Sequence, residues 1–242
     1  MQLPEQHWGT PGGRRALLVH GLNGNGATWW RVAEHLAANG WHVTAVDLRG
    51  HGEAAAGDDL ALASYAADLP GSGWDLVVGH SLGGATSALA AATPGFTSRL
   101  VLLDPVLEID PAQRDAIILD QVAELSLTIE SLTDAKPHWH PRDVELKVAA
   151  IRLSSERTAR GSFDDNPDWN AVDALAALPV PTLVLSGDPH VYSMLDTSTV
   201  AAIARPNLDY RVVAGTGHSP QRDDFESTMA ELTNWLAATQ VE

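Results

Sequence analysis

The stretch Gly79-His80-Ser81-Leu82-Gly83 joins two segments of different character, and this junction decides the fold. It follows the run 74–78 (WDLVV), which is typical of a buried parallel strand. It precedes the alanine-rich run 84–91, which favours a helix. A serine between two glycines at such a junction occupies a sharp, strained turn that lifts its hydroxyl above the sheet. The sequence therefore predicts that Ser81 lies at a strand-to-helix turn, where a base can reach its hydroxyl and make it a nucleophile.

Alternating strands and helices extend from this turn in both directions. Strands are predicted at 16–19, 41–46, 75–78, 100–103, 182–186 and 210–213, and helices at 29–38, 61–69, 83–92, 197–204 and 224–238. The strands are mostly continuous aliphatic runs, as expected where helices cover both faces of a sheet. We therefore expect an α/β fold with a doubly wound, mostly parallel sheet. The short N-terminal segment leaves room for at most a stub or a hairpin.

Three further segments carry a resemblance to a known family. A strand ending in His20-Gly21 precedes the serine, the run 46–52 reads VDLRGHG, and His218 follows the last predicted strand. This order resembles that of the α/β-hydrolase family. The resemblance implies an α/β-hydrolase fold, although six predicted strands are fewer than the family's usual eight. It also implies that Ser81 is the nucleophile and His218 the general base.

The region between 105 and 178 breaks the alternation. Apolar residues spaced by threes and fours predict one helix, which begins near Pro111 and carries Ile118, Val122, Leu125, Ile129 and Leu132. Further helices are predicted at 141–157 and 167–177. By resemblance, 106–178 forms a helical cap over a hydrolase core made of 1–105 and 179–242. Trp139 and Trp169, with His138 and His140, either line the substrate cavity or pack the cap onto the sheet.

Two carboxylates fit the family's patterns for the third catalytic residue, the acid. In the commoner pattern the acid is the last residue of G-x-x-D after the penultimate strand, but here that position is His190, and Asp188 comes two places early. In a second pattern the acid follows the strand after the nucleophile helix, where Asp104 stands. We favour Asp188, with Asp104 as the alternative. Asp196 and Glu108 are weaker candidates.

The remaining site residues are also implied by the resemblance. The backbone N–H groups of Leu22 and Leu82 are expected to form the oxyanion hole, since two preset donors stabilise a developing negative charge. Trp30, together with Trp139 and Trp169, is expected to bind substrate. No His/Cys cluster or H-E-x-x-H motif occurs, so we expect no metal and no cofactor.

Composition restricts the partners. The chain has 242 residues, a net charge of −16 and no cysteine. Such a charge argues against nucleic acid and anionic membranes as partners. The N-terminal residues lack the pattern of a signal peptide, and no run is long enough to span a membrane, so we expect a cytoplasmic protein. Monomer and homodimer both stay open.

Together these features predict a serine hydrolase. We expect it to cleave a small, apolar or aromatic carboxylic ester or lactone through an acyl-enzyme. Two alternatives remain: a carbon–carbon bond hydrolase of the meta-cleavage type, and a non-catalytic small-molecule receptor on the same fold.

Overall fold

A single seven-stranded sheet organises the computed structural model, which describes residues 1–239. Its strands are β1 Glu5–Trp8, β2 Arg14–Val19, β3 Trp41–Val46, β4 Leu76–His80, β5 Leu100–Leu103, β6 Thr182–Ser186 and β7 Leu208–Val212. Their spatial order is β1-β3-β2-β4-β5-β6-β7. Every neighbouring pair is parallel except β1 and β3. The predicted mostly parallel sheet is confirmed, and β1 is the short N-terminal element that the sequence left room for.

Helices cover both faces of this sheet. They are α1 Trp30–Ala38, α2 Leu62–Asp68, α3 Leu82–Ala91, α4 Arg114–Glu124, α5 Ile129–Ala135, α6 Pro141–Arg152, α7 Glu156–Asp164, α8 Val172–Ala176, α9 Thr197–Ile203, α10 Pro220–Asp223 and α11 Phe225–Ala238. Alternate residues of each interior strand enter different apolar clusters: Leu17 packs with α2, α3 and α8, whereas Leu18 packs with α1 and α11. This two-sided burial explains why the interior strands are continuous aliphatic runs.

The segment between β5 and β6 contains five helices, and their bounds correct the predicted ones. The apolar stripe from Ile118 to Leu132 is divided between α4 and α5, because the Thr128 side chain accepts a hydrogen bond from the Ser131 N–H and starts a new helix. The helix predicted at 141–157 ends at Arg152, since Ser155 caps α7 in the same way. The helix predicted at 167–177 is only α8. The division of the chain into a core and a cap remains a prediction.

The strand order changes direction beside β2 and thereby creates a crevice. From β2 the chain moves to one side to form β3, and then returns to the other side to form β4. The loops leaving the carboxyl ends of β2 and β4 therefore diverge, and such switch points are where open α/β sheets bind ligands. Residues 20–23 and Ser81 lie in these two loops. Within residues 1–239, no helix combines the length and apolar composition needed to cross a bilayer.

Candidate active site

Ser81 occupies the strained turn that the sequence predicts. Its backbone has φ 55° and ψ −120°, and it immediately precedes α3. Close packing on both sides excludes larger neighbours: a Cβ on Gly83 would lie 2.2 Å from the Val19 carbonyl oxygen, and one on Gly79 would lie 2.4 Å from the Gly83 oxygen. Backbone in this region costs a non-glycine residue about 1–3 kcal/mol. Gly79 allows β4 to approach α3, and Gly83 allows α3 to approach the end of β2, and this close packing holds the serine in its conformation.

His218 connects Ser81 to a buried carboxylate. It lies in the loop after β7, and its Nε2 is 2.9 Å from Ser81 Oγ. Its Nδ1 is 2.6 Å from Asp104 Oδ2. Since a carboxylate accepts from Nδ1–H, Nε2 is left free to accept the serine proton. The three side chains therefore form a continuous hydrogen-bonded chain from a hydroxyl to a carboxylate.

Asp104 is held by its surroundings as an ionised acceptor. It follows β5, is fully buried, and accepts hydrogen bonds from the Gly187 N–H, the Ser193 hydroxyl and the Met194 N–H as well as from His218. Burial acts to raise the pKa of Asp104, but hydrogen bonding and charge from His218, with the Ser193 and Met194 donors, outweigh it and hold the pKa below its usual value.

The preference for Asp188 as the partner of His218 is corrected by this geometry. The Asp188 carboxylate is exposed and accepts from the backbone N–H groups of Gly215 and His190 instead. It therefore joins the loop after β6 to the loop after β7 without reaching the imidazole. The weaker candidates also lie elsewhere, as Asp196 caps α9 and Glu108 accepts from Thr199. The signal for Asp104 was its place directly after β5, the strand beside the nucleophile strand.

His80, which the sequence reasoning did not assign to the site, anchors the histidine loop. Its Nε2 donates to the backbone carbonyl of His218 at 2.7 Å, and the two rings lie 5.0 Å apart. Burial is the largest influence that lowers the pKa of His80 well below its usual value, so the ring is neutral. His80, directly before Ser81, therefore ties the loop after β7 to the end of β4.

His20 and His51 support the loop on the other side of Ser81. His20 Nε2 accepts from the Leu48 N–H at 3.0 Å, and its Nδ1 donates to the Gly21 carbonyl at 2.7 Å. Burial lowers the pKa of His20 to about 4 and that of His51 to about 3. Both rings are therefore neutral at physiological pH, and their role is structural.

Leu22 and Leu82 both border the cavity in front of Ser81, as their predicted role requires. Leu82 is the first residue of α3, where backbone N–H groups have no partner within the helix. The loop carrying Leu22 passes close to the elbow, because a Cβ on Gly21 would lie 2.9 Å from the Ser81 Cβ. Two backbone segments thus converge on the space beside the serine hydroxyl.

The cavity itself has a volume of about 380 Å³. Trp139 and Trp169 line it as expected, and each is fixed by its indole N–H, which donates to Asp223 and to the Val106 carbonyl, respectively. Trp30 does not line it, which corrects that prediction. Its indole N–H donates to Asp143 at 2.7 Å, so the ring is held against α6.

Of the two histidines flanking Trp139, neither lines the cavity. His138 contacts Asp223 at 3.1 Å, and His140 caps α6. Among residues 1–239, no three His, Cys, Asp or Glu side chains are grouped so as to hold a metal ion.

Comparison with known proteins identifies the family. The model of the alpha/beta hydrolase family matches residues 16–231, and the chain therefore belongs to that family. Lipase LipV of Mycobacterium tuberculosis is 39% identical over 117 residues, which are 46% of this chain and 44% of the lipase. The pimeloyl-[acyl-carrier protein] methyl ester esterase of Vibrio parahaemolyticus is 28% identical over 95% of this chain and 97% of its own.

A solved structure agrees over nearly the whole length. The crystal structure of E-2-(acetamidomethylene)succinate hydrolase superposes with a TM-score of 0.83 and 24% identity, covering 97% of this chain and 95% of that one. At this identity the similarity shows the fold alone.

Proposed function

We propose that this protein is a serine hydrolase that cleaves small carboxylic esters, lactones included, through an acyl-enzyme. The observation that carries the proposal is the hydrogen-bonded chain from Ser81 through His218 to Asp104. A serine hydroxyl is a poor nucleophile at neutral pH unless a base lies within hydrogen-bond reach, and His218 lies at 2.9 Å.

The reaction has two halves. In the first, Ser81 Oγ attacks the ester carbonyl while His218 Nε2 takes its proton, and His218 then returns that proton to the leaving alcohol. In the second, His218 activates a water that hydrolyses the acyl-enzyme and frees the acid. Asp104 fixes the tautomer of His218 and stabilises the imidazolium formed in each half.

The negative charge that develops on the carbonyl oxygen needs donors. We assign these to the backbone N–H groups of Leu22 and Leu82, on the two segments that converge beside Ser81. Loss of one such donor costs about 3–4 kcal/mol of transition-state stabilisation in serine hydrolases. The N-terminal end of α3 adds its positive dipole to the same place.

The cavity lining supports a substrate with an apolar part. Its wall includes Val106, Leu132, Phe163 and Trp169. A volume near 380 Å³ lies at the small end of the range for ligand pockets and favours a compact substrate. The names of the relatives, a lipase and a methyl ester esterase, agree with ester hydrolysis. Helices α4 to α6 contribute much of this wall, which supports the role of 106–178 as a cap.

The test is turnover of p-nitrophenyl esters of increasing acyl length and of aromatic lactones, by the wild-type protein and by Ser81→Ala. We expect turnover that is lost in Ser81→Ala and kept in Ser87→Ala, a matched control at a buried serine of α3 that does not border the cavity. Equal turnover by both variants would exclude the mechanism. No turnover by the folded wild-type protein would favour the carbon–carbon hydrolase or the receptor, and turnover of ring-cleavage diketones then separates those two.

A further inference from the structure

One cationic side chain in the cavity wall has no hydrogen-bonding partner among the described residues. Arg222, in α10 four residues after His218, borders the cavity and is only 9% exposed. Its Nε is buried and has no hydrogen-bond partner, and no protein group among residues 1–239 accepts a hydrogen bond from its guanidinium. Burying a charge without a partner lowers the stability of the folded protein. Such a charge is expected where a bound ligand supplies the missing partner.

The other two cations of the wall are already paired. Lys147 Nζ lies 2.8 Å from a Glu124 carboxylate oxygen, and Lys136 Nζ lies 3.6 Å from Asp223. The carboxylates of Glu124 and Asp120 also border the cavity. Arg222 is therefore the cation of this wall whose donors remain available.

Neighbouring carboxylates do not use those donors. Burial lowers the pKa of Arg222, although the charges of Asp143, Glu124 and Asp223 act to raise it, and a guanidinium remains charged at neutral pH. Asp223 is occupied by the indole of Trp139 and by the Gly217 N–H. Asp143 accepts from Trp30 through Oδ1, and its Oδ2 has no hydrogen-bond partner within residues 1–239, but Asp143 does not border the cavity.

Arg222 borders the same cavity as Ser81, and two observations describe its surroundings there. Its positive charge contributes to lowering the pKa of both His20 and His80, whose segments flank Ser81 on either side. Its guanidinium carbon lies 5.2 Å from the centre of the Trp139 ring, which supports the planar group from one side. The guanidinium thus lies beside a fixed tryptophan, in the wall of the same cavity that Ser81 borders.

We infer that Arg222 binds a carboxylate of the substrate, so that the preferred substrates are half-esters of short dicarboxylic acids. A guanidinium presents paired N–H groups that match the two oxygens of a carboxylate. The apolar wall then accommodates the carbon chain between the free carboxylate and the ester. This inference rests on the proposed function and adds a negative charge to the apolar substrate described above.

The experiment compares each monomethyl ester of succinic, glutaric and adipic acid with its neutral analogue, in which an amide replaces the free carboxylate. Hydrolysis is followed by methanol release. Hydrogen bonds to a charged group contribute about 1.5–3 kcal/mol, so we expect kcat/KM to favour at least one acid over its amide by about 10-fold to 100-fold. Arg222→Gln is expected to reduce this ratio to near one, and Arg222→Lys to retain part of it. Arg211→Gln, which removes a surface arginine paired with Glu231, is the matched control and keeps the ratio.

A binding measurement separates this inference from the proposed function. Calorimetric titration of glutarate into Ser81→Ala is expected to show binding that Ser81→Ala/Arg222→Gln lacks. If no ester is turned over but this binding is found, the carboxylate site stands and the hydrolase fails. If the wild-type protein hydrolyses acids and amides equally well, the hydrolase stands and the carboxylate site is refuted. If Arg222→Gln and Asp143→Asn lower the melting temperature alike and leave the acid-to-amide ratio unchanged, Arg222 is a structural partner of Asp143 and the inference is wrong.

Discussion

Replacement of Asp104 by Asn tests the central assignment with almost no change of shape. Asp104 Oδ1 accepts from the Gly187 N–H and the Ser193 hydroxyl, and Oδ2 accepts from the Met194 N–H and His218 Nδ1. An amide has one acceptor oxygen, so two of these four donors must face an NH2 group.

The two orientations of the new amide have different costs. If the oxygen stays toward Gly187 and Ser193, the NH2 group faces both the Met194 N–H and His218 Nδ1. The Met194 N–H then loses its acceptor, and the imidazole must move its proton to Nε2. It then cannot accept a proton from Ser81. A comparable loss of the correct tautomer in a serine protease costs about 10⁴-fold in kcat, roughly 5.5 kcal/mol. If the oxygen instead turns toward His218, the catalytic tautomer survives. Two buried donors then lose their acceptor, at roughly 1–3 kcal/mol of stability each.

The assay is pre-steady-state acylation by a p-nitrophenyl ester, with urea unfolding measured on the same samples. We expect Asp104→Asn to lose between 10³-fold and 10⁴-fold in the acylation rate, the pattern of a lost tautomer. Asp188→Asn is the matched control, and we expect at most a few-fold change, because that exposed carboxylate only joins two loops. A large loss in Asp188→Asn together with near-normal acylation in Asp104→Asn would refute the reasoning.

Three further predictions concern the residues around the triad. Gly83→Ala is expected to abolish folding or activity, because the new Cβ would lie 2.2 Å from the Val19 carbonyl oxygen. Gly161→Ala is the control, since its Cβ would meet only the movable Leu60 side chain. Thermal melts are expected to show that this control is tolerated. His80→Leu is expected to lower kcat about 10-fold to 100-fold with little effect on KM, since it frees the His218 loop, and His80→Gln to restore part of the rate through its N–H donor; equal rates in both variants would contradict this anchoring role. His51 stays neutral in the folded protein down to about pH 3 but is protonated near pH 6.5 when unfolded, so it makes the fold less stable as pH falls through this interval. Urea unfolding between pH 6 and 4 is expected to show a pH slope that is smaller in His51→Phe by about 1.4 kcal/mol per pH unit, and an unchanged slope would disprove it.

Much of the sheet could be predicted from the sequence, because interior parallel strands are continuous aliphatic runs. Strand 100–103 was predicted with the bounds that the structure shows, and so was 182–186. The helices between β5 and β6 were less accessible, since Thr128 and Ser155 end one helical stripe and start another through single side-chain hydrogen bonds. The spacing of apolar residues along the sequence gives no information about such capping hydrogen bonds.

In the candidate site, too, features set by neighbouring residues could be predicted from the sequence, whereas contacts between distant residues could not. Ser81 is fixed by its immediate neighbours, and the sequence was sufficient to place it at a strained turn. The partner of His218 depends on how the loop after β6 folds back. There the Gly187 and Met194 N–H groups point to Asp104, whereas the Asp188 carboxylate points to Gly215. Trp30 was misplaced for a similar reason, since only the position of Asp143 shows which way its indole turns.

The strands that carry the proposed triad differ in their resistance to local unfolding. Ser81 and Asp104 follow β4 and β5, two hydrogen-bonded interior strands whose residues are all buried. His218 follows β7, which among residues 1–239 pairs only with β6 and is half-exposed along its length. Amide hydrogens of outer strands exchange through smaller openings than those of the interior. Fraying of β7 would withdraw the proposed base, His218, while Ser81 and Asp104 kept their places, so the proposed activity would be interrupted and regained without the sheet coming apart.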